Sequence, residues 1–172
     1  DEDFARLKGR RLALITNVTG RCRDGRRTID ALHSAEGVEL VRLFSPEHGL
    51  FAKLEGDVGD GRDEATGLPV FSLYGATRRP TAEMLAGIDA VVFDIQDIGV
   101  RYYTYISTLG LAMEACGEAG VGVVVLDRPN PITGRRVEGP IIDADRQSFI
   151  GWRPLPVTHG MTVGELARMF RE

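Results

Sequence analysis

Ala90-Val-Val-Phe-Asp94-Ile95, then Gln96-Asp97-Ile-Gly-Val-Arg101, then a helical stretch from about Tyr103 to Ala119, then Val121-Gly-Val-Val-Val-Leu126: this run decides the fold. The two apolar segments are short, rich in valine and free of polar alternation, as strands covered on both faces are. The stretch between them is long enough for a crossover helix. It stops at Gly120, a residue suited to the left-handed turn that closes a helix. A strand, a helix and a second such strand make a parallel βαβ unit.

The same alternation continues upstream. Arg11-Leu-Ala-Leu-Ile-Thr16 and Glu39-Leu-Val-Arg-Leu-Phe44 read as strands. Between them residues 27–35 read as a helix, with Thr28, Ile29, Leu32 and His33 at helical spacing. A long polar, glycine-rich loop runs from Ser45 to about Leu68, and a short strand occupies residues 70–73. Thr81 is placed to cap a helix over residues 82–85. Thr162, with Glu165 three residues on, forms the capping-box pattern for a last helix that runs to Glu172. Residues 136–138 read as one more short strand. The expected fold is α/β: a Rossmann-like open, mostly parallel five-stranded sheet with helices on both faces and the apolar strands four and five at its centre. Residues 1–150 are expected to form this domain, and residues 151–172 to begin a connection to a C-terminal domain absent from the chain.

Composition narrows the partners. The chain has 172 residues, 43% hydrophobic and 27% charged, which is a globular balance and not a disordered one. Its net charge of −4 builds no basic field, so nucleic acid is not an expected partner. No apolar run approaches the roughly 20 residues that span a bilayer. The two cysteines, Cys22 and Cys116, are far apart and belong to no Cys/His cluster, so they read as free thiols.

In an open parallel sheet, ligands bind beyond the carboxyl ends of the strands. The residues that follow the five strands are Thr16-Asn17, then Ser45-Pro-Glu47-His48-Gly49, then Tyr74-Gly75, then Asp94, Gln96, Asp97 and Arg101, and finally Asp127-Arg128-Pro-Asn130-Pro131. Asn, Glu-His, Tyr, Asp-Gln-Asp and Asp-Arg-Asn on the five segments in turn point to a site at this edge.

Cofactor motifs are missing. The first turn, Asn17-Val-Thr-Gly-Arg-Cys-Arg-Asp-Gly25, does not fit GxGxxG, and there is neither a phosphate-binding GxxxxGK[ST] loop nor a GxSxG elbow. Nucleotide binding is therefore not expected. Asp94-Ile-Gln96-Asp97 stops short of the Asp-x-Asp of aspartyl phosphotransferases, because Gln96 stands at the second acid position. A magnesium site on Asp94, Asp97 and Asp127 remains the alternative reading. Glu47 follows a buried strand between Pro46 and His48, where partial burial suits a carboxyl that must hold a proton and give it up.

Several longer motifs carry a resemblance: Ser45-Pro-Glu-His-Gly49, Gly67-Leu-Pro-Val-Phe-Ser-Leu-Tyr-Gly75, the run from Phe93 to Ser107, Leu126-Asp-Arg-Pro-Asn-Pro-Ile132, Val137-Glu-Gly-Pro140 and the run from Pro156 to Leu166. Together they resemble the bacterial YbbC-like family, exo-β-N-acetylmuramidases of the NamZ type, across nearly the whole chain. The resemblance implies the N-terminal domain of a two-domain glycoside hydrolase without cofactor. Such an enzyme releases terminal N-acetylmuramic acid from the non-reducing end of peptidoglycan fragments. Its place would be secreted or periplasmic, with a cytoplasmic recycling role as the other option. Val18 and the loop Leu50-Phe-Ala-Lys-Leu-Glu-Gly-Asp57 depart from the family's usual pattern.

Glycoside hydrolysis usually takes two carboxyl groups astride the scissile bond. Glu47 is the expected general acid, and Asp94 or Asp97, then Asp127, the expected second group. The substrate's acetamide can serve instead as internal nucleophile. Arg101 or Arg128 is expected to read the lactyl carboxylate that distinguishes muramic acid from glucosamine. Tyr105 is expected to face the sugar, with Asn17, His48, Gln96, Asn130, Glu138 and His159 as further substrate contacts. Trp152 reads as packing. The competing functions are a metal-dependent phosphohydrolase built on Asp94, Asp97 and Asp127, and a non-catalytic domain that binds cell-wall fragments.

Overall fold

The computed structural model describes residues 4–50 and 60–171. Along the chain come β1 (Arg11–Thr16), α1 (Thr28–His33), β2 (Glu39–Ser45), β3 (Gly61–Arg62), β4 (Pro69–Ser72), α2 (Ala82–Leu85), β5 (Ala90–Asp94), α3 (Tyr105–Ala119), β6 (Gly122–Val125) and α4 (Val163–Phe170). The strands form one sheet in the order β3-β4-β2-β1-β5-β6, and every pair is parallel except β3 with β4. The architecture is therefore the expected Rossmann-like one, with a sixth strand. β3 escapes sequence reading because Gly61-Arg62 is two exposed residues with no apolar pattern. The divergent loop at residues 50–57 lies outside the described residues beyond Leu50.

Both faces of the sheet are covered, so alternate residues of one strand enter different cores. From β1, Ala13 and Ile15 join Val91, Phe93, Leu109 and Val163 on the face carrying α2, α3 and α4. Leu12 and Leu14 join Ile29, Leu32, Leu43 and Val92 on the face carrying α1 and Leu7. This double burial is why β1 and β5 read as unbroken apolar runs. The fifth expected strand, β6, lies at the sheet's edge and not at its centre. Val123 and Val125 still pack on the α3 face, and Val124 on the other. Coverage on both faces gives an edge strand the composition of a central one. Residues 136–138 form no strand: Glu138 makes only an isolated bridge to Thr158.

The helix ends follow the chemistry of their caps. α3 closes on Gly120 at φ 69°, the left-handed conformation that glycine reaches without steric cost. At α4, Thr162 accepts from the Glu165 amide, and the Glu165 side chain accepts from the Thr162 amide. Asp127 joins this cap: it accepts from Gly164 N–H and from the Thr162 hydroxyl, each at 2.7 Å. The segment after residue 150 packs on the domain. Trp152 lies against Gly110 of α3, where a methyl group would overlap the indole, and meets Phe170 edge to face at 5.0 Å.

Candidate active site

β2 ends in Ser45 and the chain turns sharply through Pro46-Glu47-His48-Gly49. The Gly49 amide donates to the Pro46 carbonyl at 3.0 Å. His48 and Gly49 both take positive φ, at 66° and 73°. For His48 this conformation costs about 1 kcal/mol or more. The turn aims the half-buried Glu47 toward the start of α3. There Thr104 occupies the N-cap position but makes no side-chain cap. Its hydroxyl donates instead to Glu47 Oε2 at 2.5 Å. Tyr105, in the first turn of α3, brings its hydroxyl to 3.5 Å from the Glu47 carbonyl, a long contact.

Around Glu47 lies a hollow of about 400 Å³. Its walls are largely aromatic: Tyr74 after β4, Tyr102, Tyr103 and Tyr105 before and within α3, and Phe149 from the irregular segment ahead of α4. Tyr103 and Tyr105 meet edge to face at 4.7 Å. Burial, then the neighbouring Tyr105, then the charge of Asp97 push the Tyr103 phenol up to about 12. Arg78 lies over the rings of Tyr74 and Phe149.

Of the residues expected at the site, Glu47, His48 and Tyr105 share this hollow. Asp94, Asp127 and Arg128 line a second, larger depression of about 900 Å³, together with Thr28 and Cys22. Asp94 is 1% exposed and accepts from Thr28 and from Arg128 Nε and Nη2 at 2.9 and 2.6 Å. Asp97 is buried, accepting from the Gly99 amide at 2.8 Å and lying 3.2 Å from His159 Nε2. Met161 N–H donates to His159 Nδ1, so Nε2 carries the proton and donates to Asp97.

The remaining candidates brace loops. Asn17 Oδ1 accepts from the amide and hydroxyl of Thr19. Thr19 in turn accepts from the Gln96 amide at 2.9 Å. That bond ties the β1 and β5 loops together at the point where the strand order reverses. Gln96 donates to the carbonyls of Asp97 and Pro129. Asn130 accepts from Ile132 and Thr133 and donates to the Met161 carbonyl. Arg101 holds the carbonyls of Pro140 and Leu155. Glu138 is exposed on its bridge to Thr158.

Sequence reading passed over Thr104, Arg78 and Phe149 as site residues. Thr104 and Arg78 carry no signal of their own, since each reaches the hollow only through a turn. Phe149 sits in a segment with no regular structure before it. Among the described residues, no group of three His, Cys, Asp or Glu side chains is arranged to hold a metal ion. Nor is any helix long and apolar enough to cross a membrane.

Comparison with known proteins agrees with this architecture. A DUF1343-family protein of Bacteroides fragilis NCTC 9343 superposes with TM-score 0.92 at 49% identity, covering 98% of this chain and 42% of that one. A second DUF1343-family protein of the same organism gives TM-score 0.80 at 37% identity, with 96% and 43% covered. Peptidoglycan β-N-acetylmuramidase NamZ of Bacillus subtilis (strain 168) is 49% identical over 168 residues, which is 96% of this chain and 41% of that protein. The chain thus spans about two-fifths of the length of the relatives it matches. The family described as exo-β-N-acetylmuramidase NamZ, N-terminal, matches residues 12–172, and the chain belongs to that family.

Proposed function

We propose that this chain is the acid-bearing part of an exo-β-N-acetylmuramidase, which releases terminal N-acetylmuramic acid from the non-reducing end of peptidoglycan fragments. The observation that carries the reading is Glu47, held through Oε2 by Thr104 at the wall of an aromatic hollow. At about 400 Å³, the hollow is near the small end of the roughly 300–1,000 Å³ usual for ligand pockets. That size suits one sugar residue at a chain end. The relative from Bacillus subtilis, named for this activity, supports the substrate class.

In this mechanism Glu47 holds a proton on Oε1 while Thr104 fixes Oε2. The proton passes to the glycosidic oxygen as the bond to the anomeric carbon breaks and positive charge spreads onto the ring. The aromatic walls offer apolar faces against which the terminal sugar can lie. Asp94, Asp97 and Asp127 already bind Arg128, His159 and the α4 cap respectively. We therefore read all three as supports of the loop edge, and favour the substrate's acetamide oxygen as the group that bonds to the anomeric carbon as the glycosidic bond breaks. Water, giving its proton to the Glu47 carboxylate, then attacks that carbon, breaks the bond to the acetamide oxygen and completes the hydrolysis. The same commitments disfavour the phosphohydrolase reading, because they leave the three acids on separate partners. A cell-wall substrate implies a secreted or periplasmic enzyme, or one that recycles fragments in the cytoplasm.

The test is chromophore release from an aryl N-acetyl-β-muramide by the full-length protein in chelator, beside its Glu47→Gln variant and with the aryl glucosaminide as control. Muramide-selective turnover that falls in the variant supports the proposal. Tight binding of muramic acid saccharides without turnover of the aryl or natural substrate makes the protein a binding module instead.

A further inference from the structure

We propose that Arg78 is the residue by which the Glu47 hollow recognises the lactyl carboxylate of N-acetylmuramic acid, a specificity determinant that rests on the muramidase reading above. Muramic acid differs from glucosamine by one lactyl ether, and hence by one negative charge. A site that selects it needs a cation whose donors are not already taken.

Several arginines of the surrounding loops are already committed. Arg128 is bound to Asp94, and Arg101 to the carbonyls of Pro140 and Leu155. Arg79 pairs with Glu118, and Arg153 with Glu114. Arg78 lines the same hollow as Glu47 and has no carboxylate partner among the described residues. Its guanidinium carbon lies 4.5 Å from the Phe149 ring centre and 5.5 Å from that of Tyr74. The two rings stand 6.0 Å apart at 41°. Contact with these rings holds the guanidinium at the wall of the hollow without using a carboxylate. With no carboxylate paired to it among the described residues, its N–H donors can meet a substrate carboxylate, which arginine grips through two parallel bonds. Neither the periodicity nor a strand end marks this residue. Its assignment depends on Tyr74 and Phe149, which lie 75 residues apart in the sequence.

The experiment compares wild type, Arg78→Gln and Arg78→Lys in the full-length protein on three aryl glycosides: the N-acetyl-β-muramide, its lactyl methyl ester and the N-acetyl-β-glucosaminide. Wild type should prefer the free acid over both neutral sugars. In Arg78→Gln, kcat/KM for the free acid should fall about 10- to 100-fold more than for the neutral sugars, the worth of a hydrogen bond to a charged group. Arg78→Lys should recover part of the preference, because the charge returns without the planar fork. Loss in equal proportion on all three sugars overturns the assignment of Arg78 and leaves the muramidase reading intact. So does wild-type indifference between acid and ester. Failure of wild type to hydrolyse any muramide overturns the reading beneath it. Thermal melting of each variant separates these outcomes from misfolding, and Arg78→Lys carries the test if Arg78→Gln does not fold.

Discussion

Thr104 begins helix α3 but gives its hydroxyl to Glu47, 2.5 Å away, and not to the helix it caps. A hydroxyl at an N-cap normally accepts from the first free amides and contributes about 0.5–2 kcal/mol. Here that contribution is forgone, and the group instead fixes a carboxyl oxygen. Thr104→Val should therefore lower kcat about 10-fold or more with a smaller change in KM, while Thr104→Ser retains most activity. The comparison is steady-state kinetics beside melting temperature. Equal kcat in all three proteins would remove Thr104 from the site.

Glu47→Gln keeps the shape of the side chain and removes its proton. Loss of general acid catalysis should lower turnover of the natural saccharide about 10²- to 10⁴-fold. The loss should be smaller on an aryl glycoside, whose leaving group needs less protonation. Thermal melting of the variant should match wild type, since Glu47 is half-buried and bound to a single side chain.

Asp63 is 1% exposed and paired with Arg27 at 2.6 Å. The Arg27 hydrogen bond holds its carboxyl below the usual range, as do the bonds from Thr66. A depressed folded-state value means that the pair's stabilisation is complete above the unfolded carboxylate's pKa of about 4 and is lost as pH falls through the lower folded value. Arg27→Ala should destabilise the domain at neutral pH by up to about 3–5 kcal/mol, because it leaves the Asp63 charge buried with only the Thr66 bonds. The difference from wild type should shrink below about pH 4, where the carboxyl is protonated in the variant. Urea denaturation at pH 7 and pH 3 reads both effects.

Gly110 faces the indole of Trp152, and a side chain there overlaps the ring. Gly110→Ala should cost about 1–3 kcal/mol through overpacking, despite alanine's better helix propensity. Pairing it with Trp152→Leu should recover part of the loss. Chemical denaturation of the two single variants and the double variant measures the coupling.

Burial pushes the Cys116 thiol up to about 11, while Cys22 is only half-buried in the loop after β1. A thiol reagent should label Cys22 in the native protein and reach Cys116 only after denaturation.

Much of this was legible in the sequence. β1 and β5 announced themselves because burial on both faces leaves no polar alternation, and β2 and the α3 crossover by their largely apolar patterns. Glu47 was legible because it directly follows a buried strand. β3 was not, since Gly61-Arg62 has nothing to alternate. The edge position of β6 was hidden because Val123, Val124 and Val125 are covered on both faces wherever the strand stands. Arginine chemistry is legible as residue type only. Arg101, Arg128 and Arg78 look alike in sequence, and what separates them is which acids and carbonyls the folded loops bring near. Likewise, Asp127 reads as a catalytic candidate after a strand until Thr162 and Gly164 arrive from 35 or more residues later to claim it.

The two margins of the sheet differ in kind. One ends in Gly61-Arg62, a two-residue antiparallel strand carrying a charge. The other ends in β6, whose outer row of backbone groups is paired to no strand of the described residues and whose side chains are valines. Short, charged margins resist lateral joining, whereas an unpaired valine margin templates the addition of another strand. Self-association of this domain, when it is partly unfolded or concentrated, should thus be directional: it starts from the β6 side, and a lysine in place of Val124 should suppress it.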